Sequence, residues 1–136
     1  MKRGAGKLAP GRAACYNTGK TNGVCGMVKT VAIVSLSAGT LGESFVKHEL
    51  DIGVRRLASY GLSVRFMPHA LAGIEHIKNH PEDRAADLLA AFRDPEIDMI
   101  LCAIGGDDTY RLAPYLFENG ELRTAVSGTD KIFLGF

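Results

Sequence analysis

The chain has 136 residues, 46% of them hydrophobic and 23% charged, with 16 Gly, 5 Pro and no Trp. These proportions suit a globular chain about one domain long and exclude a wholly disordered, collagen-like or coiled-coil one; without an 18-residue apolar run, no transmembrane helix is expected. The net charge of +1 hides a split: residues 1–26 carry five basic side chains (Lys2, Arg3, Lys7, Arg12, Lys20) and no acid, whereas residues 27–136 hold 11 basic and 15 acidic ones.

Residues 1–26 include six of the 16 glycines and show no helical or strand period. Such a stretch buries too little apolar surface to offset its ordering entropy, so a disordered basic tail is expected. No apolar core follows the basic start, which argues against a secretory signal. Five scattered charges make a poor nucleic-acid arm, and no nucleic-acid partner is expected. Ala14-Cys15-Tyr16-Asn17-Thr18-Gly19-Lys20-Thr21 loosely resembles a phosphate-binding loop. No strand precedes it and Asn22-Gly23 turns after it, so the match is read as chance. Met27 directly precedes the first strand and is read as the natural start, with a domain over 27–136.

From there the elements alternate. Val28 to Leu36 is β-branched and apolar, a strand buried on both faces. Thr40 and Glu43 have capping-box spacing, and a helix is expected to run from there to about Tyr60 with Val46, Leu50, Gly53 and Leu57 on one stripe. Gly61 suits its left-handed end. Leu62 to Met67 is a second strand, and residues 69–80 read as a loop with one helical turn. Pro81 opens a second helix with the stripe Ala85, Leu88, Leu89 and Phe92, stopped at Asp94-Pro95. Ile97 to Ile104 is a third buried strand. Gly105-Gly106-Asp107-Asp108 turns into a short helix through Tyr110 and Leu116, with Asp107 and Asp108 as its cap and first turn. Lys131 to Leu134 is a fourth strand.

This β-α-β-α-β-α-β order predicts an α/β fold, a parallel sheet with flanking helices. Ligands bind such sheets at the carboxyl ends of strands, which points to Ser35–Gly39 after the first strand and Gly105–Asp108 after the third. Glycines there let backbone approach a ligand, and outward N–H groups can stabilise an anion. Arg111 can meet a carboxylate bidentately, although a surface arginine is commoner. His76 and His80 have i, i+4 spacing, but Pro81 interrupts and no third ligand is apparent, so no metal is expected. His48 lies beside the helix stripe. Cys102 is expected to be a buried, inert thiol, and three unpatterned cysteines point to a reducing, cytoplasmic compartment.

Val31-Ala32-Ile33-Val34-Ser35-Leu36-Ser37-Ala38, Phe66-Met67-Pro68-His69-Ala70, Ile104-Gly105-Gly106-Asp107-Asp108-Thr109-Tyr110-Arg111 and Lys131-Ile132-Phe133-Leu134-Gly135-Phe136 together resemble the LD-carboxypeptidase family of serine peptidases, in the branch with the microcin C self-immunity carboxypeptidase. The resemblance runs from about Val28 to Phe136. It implies a class I glutamine amidotransferase-like, flavodoxin-like N-terminal domain, here incomplete. It also implies a Ser–His–Glu triad whose serine follows a Gly-aromatic pair. Gly135-Phe136 matches that pair, so the nucleophile would follow Phe136. The triad's Glu and His would belong to a C-terminal domain. What carries over is the Gly105-Gly106-Asp107 turn, which in the family lends backbone N–H to the oxyanion hole, with Arg111 as a substrate-binding candidate. No catalytic residue, no metal and no cofactor is expected within the chain. The implied substrate is a murein peptide or a peptidyl-nucleotide. The chain alone is expected to be inactive and aggregation-prone, no membrane partner is expected, and a homodimer fits the family. A stand-alone α/β module binding a small anion at Gly105–Asp108 is the alternative.

Overall fold

The computed structural model describes residues 27–135. The basic segment 1–26, with its phosphate-loop-like stretch, Cys15 and Cys25, lies outside the described residues, as does Phe136.

Strand β1, Thr30–Val34, is the centre, because its β-branched run can be buried on both faces. It pairs in parallel with β2, Ser63–Phe66, on one side and with β3, Met99–Cys102, on the other. Strand β4, Ile132–Leu134, adds beyond β3, also parallel. The order β2-β1-β3-β4 is that of a doubly wound, flavodoxin-like sheet, whose order reverses between β1 and β3. The start of β1 is tied down by Asp98, whose Oδ2 accepts the N–H groups of Lys29 and Thr30 at 2.8 and 2.9 Å.

The helices are α1 (Lys47–Ser59), α2 (Gly73–Asn79), α3 (Pro81–Arg93), α4 (Ala113–Phe117) and α5 (Glu121–Val126). Helix α3 bears out its sequence signals: Pro81 stands in its first turn and the chain leaves extended at Asp94. Its Ala85, Leu88, Leu89 and Ala91 pack with Ala32, Val34 and Ile100 into the main core, joined by Leu112 and Leu116. Val31 and Ile33 point to the other face, in register with Val64 and Phe66. There α1 meets β2, and Leu50 and Val54 line a shallow groove with Phe66. On the β3–β4 side of that face, Ile132 and Leu134 stay half exposed.

Several local expectations are corrected. The helix expected from Thr40 begins at Lys47, after two 3-10 turns at Thr40–Gly42 and Ser44–Val46. Glu43 makes no capping box with Thr40; its Oε1 accepts the N–H of Ile74 at 2.8 Å. Of the expected stripe, Gly53 faces solvent and Val54 takes its place beside Leu50 and Leu57. Residues 69–80, read as a loop with one turn, contain the seven-residue α2, held by Ile77, which is fully buried. Helix α5 was not anticipated. The third strand stops at Cys102, and Ile104 lies beyond it. Cys102 is partly rather than fully buried; burial still pushes its thiol upward, against a backbone hydrogen bond at Leu36.

Lys131 ties β4 to the end of α3. Its Nζ donates to the carbonyls of Ala91 (3.0 Å), Phe92 (2.9 Å) and Asp94, so a cation meets the negative end of the helix dipole. Lys131→Met should cost about 1.5 kcal/mol, as expected for hydrogen bonds to a charged donor, measured as a lower urea midpoint at unchanged m-value.

Candidate functional site

The loops after β1 and β3 meet at the point where strand order reverses. They are joined by Arg84, which α3 projects between them. Its side chain has no solvent exposure. Nη1 donates to the carbonyls of Leu36 at 3.0 Å and Ser37 at 3.4 Å, and to Asp108 Oδ1 at 2.9 Å. Nη2 reaches Asp108 Oδ2 at 3.5 Å, and buried Nε has no partner. Ser37 Oγ donates to Asp108 Oδ1 at 2.9 Å while accepting the Asp108 N–H at 3.3 Å. Burial works against the Asp108 carboxylate, but the hydrogen bonds from Arg84 and Ser37 and the charges of Arg84 and Arg111 outweigh it, holding Asp108 below the usual carboxylate range.

This clamp sets the path of the Gly-Gly turn. A Cβ at Gly106 would stand 2.2 Å from Ser37 Oγ and 2.8 Å from Ser37 Cβ, so only glycine lets the two loops approach this closely. Just before the turn, Ile104 has φ 57°. A β-branched residue in the left-handed region is strained by roughly 1–3 kcal/mol, and such strain concentrates where a loop is held in one functional shape.

Of the sequence-derived site residues, Gly105, Gly106 and Asp107 lie together on an exposed turn at the carboxyl end of β3. Asp108 stands at the N-cap position of the 3-10 turn Thr109–Leu112 that precedes α4, yet its side chain makes no cap bond, because Arg84 and Ser37 take it. Arg111 lies beside the turn, but its Nη1 donates to the Lys78 carbonyl at 2.6 Å and stands 3.7 Å from Asp108 Oδ2. His76 and His80 stack, with ring centroids 4.4 Å apart, and face different carboxylates: His76 Nε2 meets Asp83 at 2.8 Å and His80 Nδ1 meets Glu82 at 2.9 Å. His48 lies exposed on α1. Sequence reasoning missed Arg84. The signal was there, a basic residue in the first turn of α3 beside its apolar stripe, but a helix-face arginine ordinarily points to water. Among the described residues, the serine hydroxyls with hydrogen-bond partners meet backbone carbonyls or Asp108, and the histidine rings with such partners meet carboxylates; no serine–histidine pair occurs among these hydrogen bonds.

A parallel sheet ordered 2-1-3-4, with a glycine turn clamped at its switch point, defines an α/β domain of the doubly wound, flavodoxin-like class. The profile of LD-carboxypeptidase N-terminal domains matches residues 31–136, and the chain belongs to that family. A protein from Streptomyces coelicolor named as a carboxypeptidase is 33% identical over 109 residues, covering 78% of this chain and 32% of that protein. The solved structure of an MccF-like protein from Streptococcus pneumoniae in complex with AMP is 62% identical with a TM-score of 0.78, covering 81% of this chain and 32% of that one. The microcin C7 self-immunity protein MccF shares the fold at 23% identity and a TM-score of 0.63, over 79% of this chain and 30% of its own. The chain therefore spans about a third of the length of these relatives.

Proposed function

We propose that this chain is the N-terminal domain of a serine-type LD-carboxypeptidase-like hydrolase that cleaves the amide bond of a peptidyl-nucleotide or a murein peptide. The observation that carries the substrate class is the 62% identity to an MccF-like protein captured with AMP, which favours the peptidyl-nucleotide. In this proposal the Gly105-Gly106-Asp107 turn offers backbone N–H to the oxyanion of the tetrahedral intermediate, and Arg111 orients a substrate carboxylate after giving up its Lys78 carbonyl. The serine, histidine and glutamate come from residues beyond these. Acyl transfer needs a nucleophile next to an oriented base, and the turn alone supplies neither. The half-exposed Ile132 and Leu134 belong to the face that the rest of the enzyme covers. Left bare, they and the open edge of β4 make the isolated chain prone to aggregate. A cytoplasmic setting belongs to the same proposal.

Two assays test it. The isolated chain should hydrolyse neither an LD-linked tetrapeptide nor an aminoacyl-nucleotide amide above the buffer rate; turnover by pure protein would show that the nucleophile lies within the 136 residues. A chimera carrying residues 27–136 in place of the matching segment of the Streptococcus pneumoniae relative should hydrolyse the aminoacyl-nucleotide amide. A folded but inactive chimera would reject the assignment.

A further inference from the structure

A second cluster lies beyond the carboxyl end of β2, built from residues the hydrolase proposal does not use. His69 follows β2, His76 sits on α2 and Asp83 on α3. One ligand atom from each lies within 4.8 Å of the other two. We propose that His69 Nε2, His76 Nε2 and Asp83 Oδ2 form a zinc site, with water in the fourth position.

The distances suit an ion. Asp83 Oδ2 lies 2.8 Å from His76 Nε2 and 3.7 Å from His69 Nε2. A tetrahedral zinc with bonds of 2.0–2.1 Å sets its ligand atoms about 3.3 Å apart, between those two values. His69 and His76 lie side by side, with ring centroids 5.7 Å apart, and their ligand atoms and that of Asp83 all lie within 4.8 Å of one another.

The surroundings supply His69 with the outer support that a metal-bound histidine needs. Asp87 is 3% exposed, and its Oδ1 lies 2.9 Å from His69 Nδ1. Its Oδ2 accepts the His69 backbone N–H at 2.9 Å. A carboxylate on Nδ1 favours the tautomer with the proton on Nδ1 and leaves the Nε2 lone pair facing Asp83 Oδ2. A cation held between His69 Nε2 and Asp83 Oδ2 would be matched by the carboxylate charge there. Arg84 does not fill that role, since its guanidinium is turned to Leu36, Ser37 and Asp108. Two histidines, one carboxylate and an open position are a borderline-soft donor set that suits zinc better than magnesium or calcium. The three ligands come from separate segments, so the ion would pin α2 and α3 to the end of β2.

The test is calorimetric titration of Zn2+ into the full chain carrying Cys15→Ser and Cys25→Ser, which removes competing thiols outside the site. One zinc per chain is expected, abolished by His76→Ala and by Asp83→Ala, weakened about 10- to 100-fold by Asp87→Asn, and not matched by Mg2+. Co2+ should give the intense visible bands of tetrahedral coordination. Zinc binding that is absent, or that persists unchanged in His76→Ala, overturns the proposal. Since Asp87→Asn and Asp83→Ala could unfold the chain, nitrogen-15 chemical shifts of the histidine side chains in the unsubstituted site serve as a second reading. Zinc should move the Nε2 signals of His69 and His76 and leave His48 in place; unmoved His69 and His76 signals also overturn it.

Discussion

Asp108→Ala is expected to destabilise the domain by about 3 kcal/mol. Removing one partner of a buried ion pair typically costs about 3–5 kcal/mol, because the other charge is left uncompensated. Here the stranded charge is Arg84, with no exposure, whereas Asp108 keeps 23% of its side-chain surface and some hydration, which puts the loss at the low end. For a domain of this size such a loss lowers Tm by roughly 12–20 °C. Arg84→Met should cost less, about 2 kcal/mol, because a partly exposed Asp108 can rehydrate while the Leu36 and Ser37 carbonyls lose a donor. The double variant Arg84→Met/Asp108→Ala should be more stable than Asp108→Ala alone. A strictly additive double-mutant cycle would show that the two side chains do not act as a pair.

The same pair has a pH signature. Asp108 is held below its ordinary value in the folded state, so its stabilisation is fully present above the unfolded carboxyl pKa, about 3.9, and is lost as pH falls through the lower folded value. Denaturant midpoints of the unsubstituted chain should therefore drop below about pH 4. Asp108→Asn should flatten that drop while already being less stable at neutral pH.

The second large effect concerns catalysis. In the active chimera, Gly106→Val should lower kcat by about 10²–10³-fold with KM little changed. That is the usual loss when one oxyanion donor is displaced. The cause is steric: a side chain at residue 106 cannot coexist with Ser37 Oγ at 2.2 Å, so the turn must swing away from the reacting carbonyl. Arg111→Ala should instead raise KM, because it removes an orienting contact made in ground and transition state alike. A Gly106→Val chimera with unchanged kcat would take the turn out of the oxyanion hole.

Local chemistry made much of this fold legible. The β-branched Thr30–Val34 could only be a buried strand, Pro81 and Asp94-Pro95 bounded α3, and Gly61 takes the left-handed position after α1 with φ 79°. The alternation of strands and helices predicted the parallel sheet. What failed were short elements whose stability comes from tertiary contact. Helix α2 has seven residues, too few to be stable alone, and exists because Ile77 is buried and Glu43 caps it from a distant turn. That same use of Glu43 explains why its capping-box spacing with Thr40 was misleading.

The site divides along the same line. The Gly105-Gly106-Asp107-Asp108 turn and its place after a strand are written in consecutive residues, so the turn itself was legible in the sequence. Arg84 stands 24 residues from Asp108 and 47 from Ser37, and only folding turns a helix-face arginine into the buried bridge between two strand ends. The zinc ligands follow the same rule. Spacing along one chain offered only His76 with His80, a pair without a third ligand, whereas the tertiary structure brings His76 together with His69 and Asp83, because metal geometry is decided by atoms converging in space and not by their separation in sequence.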